Sequence, residues 1–232
     1  QSPKKRQMKT AIIVAMGKEL QLLLPIIENH AVTTVNGTEF HTGNIAGHEV
    51  VAMQCGIGKV NAAVGTLTMI DIFHPSLVIN TGVAGGTGAG NDAPGILDVV
   101  LASGVAYHDV WCGPGTEPGE ASGCPRIFPS PLPQETAGQL GAHSGLIASG
   151  DIFVSRRSEV DHILELYPDA AAVDMESGAI AQVCHIKSVP YVCMRVISDT
   201  PGAADNIAQY ENFWTDAPEA TFTALKKLLK MI

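Results

Sequence analysis

Three carboxylates stand where apolar runs give way to polar residues. Glu19 follows the run Thr10–Met16, Glu176 follows 170–174, and Asp199 follows 190–197. An acid set directly after a fully apolar strand is costly to bury without a partner. Glu176 and Asp199 therefore read as working groups, whereas Asp151, in Ser149-Gly150-Asp151, is better explained as a cap for the helix that follows. Three acids with no metal-ligand spacing suit the cleavage of a glycosidic bond. That reaction passes through an oxocarbenium-like state and needs one group to activate water and another to protonate the leaving group. The acid must hold its proton near neutral pH, which burial beside apolar strands can arrange.

Other chemistries find less support. Tyr107-His108-Asp109 holds a close His/Asp pair, and nothing completes a metal-ligand set around it. No GxSxG nucleophile elbow occurs. The five cysteines (Cys55, Cys112, Cys124, Cys184, Cys193) form no CxxC pair and lean towards a reducing compartment. Cys184 adjoins His185, but neighbours on a helix point in different directions, so no activated thiol is expected there. Gly56-Ile-Gly58-Lys59 lacks the spacer of a phosphate loop and has Val60 where a hydroxyl must reach magnesium. Gly88-Ala-Gly90 leads to Pro94-Gly95 and not to a helix, which argues against dinucleotide binding. Both glycine pairs read as backbone turns.

These acids need a frame. Short β-rich apolar runs alternate with helical patterns, the mark of a layered α/β fold. Strands are expected over 10–16, 38–45, 48–54, 76–80, 96–103, 144–149, 170–174 and 190–197. Helices are expected over 18–27, 60–73, 155–166, 176–186 and about 207–231. The glycine-dense stretch Gly82–Gly95 should end the strand that begins at Ser76, and 108–133 should be a long, irregular, functional loop. In open α/β sheets ligands bind beyond the carboxyl ends of strands, which is where all three acids fall.

Composition narrows the setting. Of 232 residues, 46% are hydrophobic and only 16% charged, against about a quarter charged in ordinary soluble domains. So little charge implies a large core and a surface patch covered by a second copy of the chain. Disorder is excluded, and no apolar run reaches the roughly 18 residues of a membrane span. A net charge of −9 argues against nucleic acid as a partner. No repeat, linker or shift in composition divides the chain. Residues 10–232 read as one catalytic domain behind a flexible basic flank, 1–9, that carries Lys4, Lys5, Arg6 and Lys9. A cytoplasmic location is expected, with export the alternative if a signal peptide preceded Gln1.

The blocks Val14-Ala-Met-Gly-Lys-Glu19, Cys55-Gly-Ile-Gly-Lys-Val-Asn-Ala62, Asn80-Thr-Gly-Val-Ala-Gly-Gly86, Ala148-Ser-Gly-Asp-Ile-Phe153, Val173-Asp-Met-Glu176 and Arg195-Val-Ile-Ser-Asp199 carry a resemblance. Together they resemble the nucleoside phosphorylase superfamily and, within it, the 5′-methylthioadenosine/S-adenosylhomocysteine nucleosidases. The blocks follow family order and span residues 11 to about 214. The resemblance implies a three-layer α/β/α fold around a central mixed β-sheet, a homodimer, and neither metal nor cofactor. It also implies hydrolysis of the N-glycosidic bond of a 5′-thio-substituted adenosine, with adenine released.

Under that resemblance Glu19 would activate the attacking water, and Asp199, oriented by Ser198, would donate a proton or hydrogen bond to N7 of adenine. Glu176 would hold the ribose hydroxyls, with Asp174 beside it in place of a common Glu, and Met175 would pack on the sugar. Phe153 would stack on the purine, the backbone of Val154 would read the base edge, and Tyr210 would cover the alkylthio end. Ala15, Met16, Val83, Ala84 and Gly85 would line the pocket. Val83 stands where the bacterial nucleosidases commonly have Ser, which would remove one hydrogen bond near the water. The segment Asp109–Gly119 departs strongly from the family pattern. In the family this region reaches a neighbouring subunit's 5′ pocket, so Trp111 would be an apolar wall there.

Phosphorylase relatives bind phosphate with arginines. Of Arg6, Arg126, Arg156, Arg157 and Arg195, none falls in the N-terminal strand-end loop or beside Gly82–Gly86, and Glu19 would repel a phosphate dianion. Water is therefore the expected nucleophile, and Arg195, inside an apolar strand, is expected to be structural. Phosphorolysis, and nucleoside binding without chemistry, stand as the alternative readings.

Overall fold

The computed structural model describes residues 9–216 and 220–232; most of the expected basic flank lies outside them. In chain order the strands are β1 (Thr10–Val14), β2 (Glu28–Val35), β3 (Thr38–Ile45), β4 (His48–Gln54), β5 (Leu77–Gly86), β6 (Val99–Tyr107), β7 (Ile127–Pro129), β8 (His143–Ser149), β9 (Ala170–Asp174) and β10 (Tyr191–Asp199). The helices are α1 (Gly17–Leu23), α2 (Lys59–Phe73), α3 (Glu135–Leu140), α4 (Arg157–Leu166), α5 (Ser177–Lys187), α6 (Asn206–Asp216) and α7 (Ala220–Met231).

All ten strands join one mixed sheet, ordered β10-β6-β8-β9-β5-β1-β4-β3-β2 with β7 on β6. β10 also pairs with β5 in parallel, so β5, β10, β6, β8 and β9 close into a ring from which β1, β4, β3 and β2 extend. β1 shows why the sheet is covered on both faces. Ala11 and Ile13 pack with Met69 of α2 and Ile180 of α5, while Ile12 and Val14 pack with Leu23 of α1 and Leu225 of α7. Alternate side chains of a strand point to opposite faces, and a run apolar at every position needs helices on each. The expected α/β layering is found, with the ring closure as an added feature.

Several boundaries differ from expectation for physical reasons. The helix expected over 18–27 stops at Leu23 and continues only as a 3₁₀ turn, Leu24–Ile26, because Pro25 cannot donate to an α-helical ladder. β2 was not anticipated: Glu-Asn-His-Ala-Val-Thr-Thr-Val is a largely exposed edge strand with no apolar face to betray it. β5 does not end at Gly82 but runs to Gly86, every residue after Leu77 buried. The loop expected over 108–133 contains β7, and α3 follows it. Of the terminal helix expected over about 207–231, α6 and α7 cover the described parts, and 217–219 lie outside the described residues.

Candidate active site

Each acid is delivered by a different strand end. Glu19 is the third residue of α1, just beyond β1, and its side chain turns back on the helix start. Oε2 accepts the backbone N–H of Ala15 at 2.8 Å and of Met16 at 2.9 Å, and Oε1 accepts that of Val83 at 3.0 Å. A glutamate at this position caps the orphan donors of the first turn. Gly82 makes the approach of β5 feasible. A Cβ there would collide with Glu19 Oε1 and Arg195 Nη1, and its φ of +146° disfavours any side chain.

Arg195 lies at the centre of a buried charge network. The parallel register of β10 on β5 sets it opposite Gly82. Its Nη2 is 2.6 Å from Asp174 Oδ2, 3.8 Å from Glu176 Oε2 and 2.7 Å from Asn80 Oδ1. Asp174 Oδ1 also accepts the hydroxyl of Ser177 at 2.8 Å, and Glu176 Oε1 accepts the Gly58 N–H at 3.2 Å. The expectation that no arginine lies beside Gly82–Gly86 thus fails in space, because pairing of β10 with β5 joins residues over a hundred positions apart. The guanidinium is nevertheless engaged by two carboxylates and an amide.

Asp199 ends β10 with 4% of its surface exposed. The Ser198 hydroxyl lies 2.6 Å from Oδ1, and the Asn206 amide donates to Oδ2 at 2.5 Å. Burial raises the pKa of all three acids. For Glu19 burial outweighs the opposing Arg195 charge and the three backbone N–H groups. For Asp199 it outweighs the hydrogen bonds from Ser198 and Asn206. Glu176 is pushed up to about 7, by burial first, with Arg195 opposing and the Asp174 charge adding.

The acids converge on one cavity of about 580 Å³ counting its open mouth, within the range of small-molecule sites. Glu19, Glu176, Asp174, Ser198 and Asp199 give it polar walls. At the mouth the Phe153 and Tyr210 rings meet edge-on at 5.6 Å, and the Tyr210 hydroxyl lies 3.4 Å from Met16 Sδ. Ala15, Val83, Ala84, Gly85, Val154 and Met175 complete the lining that the sequence indicated.

Trp111 is the exception. It lies outside this cavity's lining, 63% exposed, with Nε1 near the Thr116 carbonyl. Ile57, Ile152 and Val173 also line the cavity and were not singled out, since isolated aliphatics look like core. Asn206 and Asn80, which hold Asp199 and Arg195, were missed too; neither adjoins its partner in sequence. Asp151 does not cap the helix after it but accepts the Lys59 N–H at the start of α2. Cys184 is buried with its thiol pushed up to about 12, in keeping with an inert side chain. Among the described residues no cluster of His, Cys, Asp or Glu is placed to hold a metal ion.

Comparison with known proteins bears on this constellation. Residues 9–230 match the family described as the phosphorylase superfamily. A 5′-methylthioadenosine/S-adenosylhomocysteine nucleosidase from Chromohalobacter salexigens is 40% identical over 210 residues, covering 86% of this chain and 88% of the relative. The chain belongs to this nucleosidase family of the phosphorylase superfamily. Solved nucleosidases share the fold throughout. The Streptococcus pneumoniae enzyme with the transition-state inhibitor MT-ImmA superposes with a TM-score of 0.87 at 33% identity, over 96% of this chain and 99% of that one. The Colwellia psychrerythraea enzyme in complex with adenine does so with a TM-score of 0.87 at 32% identity, over 97% and 96%. In this member of the nucleosidase family, the polar walls are set deep against Arg195 and the aromatic residues stand at the mouth.

Proposed function

We propose that the chain hydrolyses the N-glycosidic bond of 5′-methylthioadenosine or S-adenosylhomocysteine, releasing adenine and the 5-thio-substituted ribose. The observation that carries this reading is the convergence of Glu19, Glu176 and Asp199 on one cavity, each with its pKa raised by burial. In this assignment Glu19 takes a proton from the attacking water, and its raised pKa makes it a stronger base than an exposed carboxylate. Asp199 delivers its proton to N7 of the purine, so that adenine leaves neutral as the C–N bond breaks and the C–O bond forms. Glu176, anchored by Gly58 and Arg195, receives the ribose hydroxyls and lies near the positive charge that develops on the sugar. Phe153 stacks on the base, the Val154 backbone reads its edge, Met175 packs on the sugar, and Tyr210 covers the 5′ end.

Water is favoured over phosphate because Arg195 is already engaged by Asp174 and Glu176 and has no free charge for a dianion. We further propose that residues 10–232 act as one catalytic unit, that the chain is a homodimer bringing Trp111 towards its partner's 5′ pocket, and that it works in the cytoplasm without a cofactor. Five unpaired cysteines support a reducing location. Among the described residues no helix is long and apolar enough to cross a membrane.

The test is adenine release from methylthioadenosine, adenosylhomocysteine, adenosine and inosine, each with and without phosphate. Phosphate-independent release from the thio-substituted adenosines is expected. Ribose-1-phosphate formed only with added phosphate would establish a phosphorylase instead, and tight nucleoside binding with no release would establish a binding protein.

A further inference from the structure

Asp199 has a partner on each carboxylate oxygen, and the two partners differ in kind. Ser198, 2.6 Å from Oδ1, carries a hydroxyl that can donate or accept. Asn206, 2.5 Å from Oδ2, presents an amide NH₂ that can only donate. A carboxyl proton on Oδ2 would face the hydrogens of that amide, whereas a proton on Oδ1 leaves a lone pair to accept the Ser198 hydroxyl. Asn206 is 3% exposed, and its own Oδ1 has no hydrogen-bond partner among the described residues. Its contact with Asp199 is thus the one that orients the amide. Asn206 is also the first residue of α6, the helix that carries Tyr210 to the mouth of the cavity.

We propose that Asn206 is the positioning residue of the acid: its amide reserves Oδ2 of Asp199 as an acceptor and thereby keeps the transferable proton on Oδ1, beside Ser198. The proposal rests on the reading of Asp199 as the group that protonates the leaving adenine. Proton balance is simple. The Oδ1 proton passes to N7, and the carboxylate left behind keeps two hydrogen bonds, one from Ser198 and one from Asn206. The helix that closes the 5′ end is tied by the same contact to the acid that acts at the base. The other titratable groups facing this region are Tyr210 from α6 and the carboxylates of Glu19, Asp174 and Glu176 across the cavity. Among the described residues no cationic side chain pairs with Asp199.

The orientation of an amide is decided by its hydrogen bonds and can be tested through its sign. A donor to the carboxylate holds the acid's pKa down, so its removal should raise it; an acceptor would do the reverse. The experiment follows kcat for adenine release across about pH 5 to 10 in the unaltered chain, Asn206→Ala, Asn206→Asp and Asp199→Asn. Activity is lost at high pH as Asp199 gives up its proton. Asn206→Ala should move that alkaline limb up by about one pH unit and lower the optimum kcat about tenfold, with KM changed less than about threefold. Asn206→Asp places two carboxyls together and should move the limb further up. The pH dependence of adenine binding, measured by calorimetry without turnover, should shift in the same direction. An alkaline limb that stays in place or moves down in Asn206→Ala overturns the proposal, whatever happens to thermal stability. Turnover retained in Asp199→Asn would instead overturn the acid assignment beneath it.

Discussion

The backbone N–H of Lys59 lies 2.7 Å from Oδ1 of Asp151, ninety-two positions further along the chain. Lys59 opens α2, and the preceding Gly58 gives its own N–H to Glu176. The start of this helix therefore serves two carboxylates, one in the cavity wall and one beside the segment Ile152–Val154 that lines it. Free N–H groups and the helix dipole make such an end a natural seat for negative charge. Asp109 closes the circuit, accepting the Lys59 ammonium at 2.9 Å and the Asp151 N–H at 2.8 Å.

Asp151→Ala removes that clasp without touching a group that reacts. The expected result is a KM for methylthioadenosine raised about fivefold to tenfold, with kcat within about threefold, because Phe153 is no longer held at one distance from Glu176. The loss of folding stability should be about 1 kcal/mol, the usual value of a helix cap. Steady-state kinetics beside urea titration separate the two effects. An unchanged KM would mean that the segment holds its place without the clasp.

Glu19→Gln and Asp199→Asn keep the shape of the site and delete its acid–base groups. Each should lower adenine release by about 10²–10⁴ in kcat. Each variant keeps one acceptor oxygen but turns an NH₂ towards a neighbouring donor, so a loss of folding stability of about 1–3 kcal/mol is expected beside the loss of turnover. Near-normal turnover in either variant would refute that residue's role.

The raised pKa of Glu176 makes a claim about stability. Its ordinary value is 4.5 and its folded value about 7, so between these limits the folded chain binds a proton that the unfolded chain does not. Stability from this group is present at low pH and is lost as pH rises through the folded pKa. His41 and His108, whose pKa values are lowered by burial, titrate in the opposite sense nearby. Comparison with Glu176→Gln cancels them. The stability difference between variant and unaltered chain should move in the variant's favour by about 1–2 kcal/mol from pH 5.5 to 8 in the absence of ligand. A difference independent of pH would show that Glu176 is ionised throughout that range.

Much of this was legible along the chain, and the remainder has a common cause. β1, β9 and β10 announce themselves as predominantly apolar runs, and each of the three acids sits just beyond or at the end of one, where polarity alone exposes it. β2 gives no such signal because both of its faces are wet. The extension of β5 through Gly82–Gly86 is hidden because glycines are called for by the close approach of Glu19, Arg195 and Pro201, not by a turn. Arg195 looked like an isolated charge in a strand until strand pairing set it against Gly82 and Asp174. Asn206 and Asp151 show the same limit. Their partners lie on other elements, and a polar residue at a loop's end carries no mark of what it will meet.

Arg195→Met tests the network from its centre. Removing one member of a buried ion pair leaves the other charge uncompensated, at a cost of about 3–5 kcal/mol. Asp174 and Glu176 would then face each other without their cation, so the loss should be largest above neutral pH. The urea midpoint should fall steeply, and Asp174→Asn added to Arg195→Met should recover part of the loss. If the double variant is as unstable as the sum of the singles, the pair is not coupled and the network assigned here does not hold the site together.

The proposed homodimer makes the last prediction, and α2 supplies its reason. Its inner face packs Ala62, Met69 and Ile70 into the core, yet its outer face carries Val60, Val64 and Leu67, exposed by 75%, 62% and 43%. Ile186 of α5, a helix packed against α2, adds another exposed aliphatic at 65%. A helix apolar all round is normally buried, and a contiguous patch of this kind marks an interface. Val64→Glu would set a charge in the middle of that stripe, where a second copy could not solvate it. Sedimentation equilibrium should give twice the chain mass for the unaltered protein and a dissociating or monomeric species for the variant. If the partner's Trp111 walls the 5′ pocket, the same substitution should raise KM for methylthioadenosine while leaving adenine binding within about threefold. A monomeric unaltered chain with full activity would refute both statements at once.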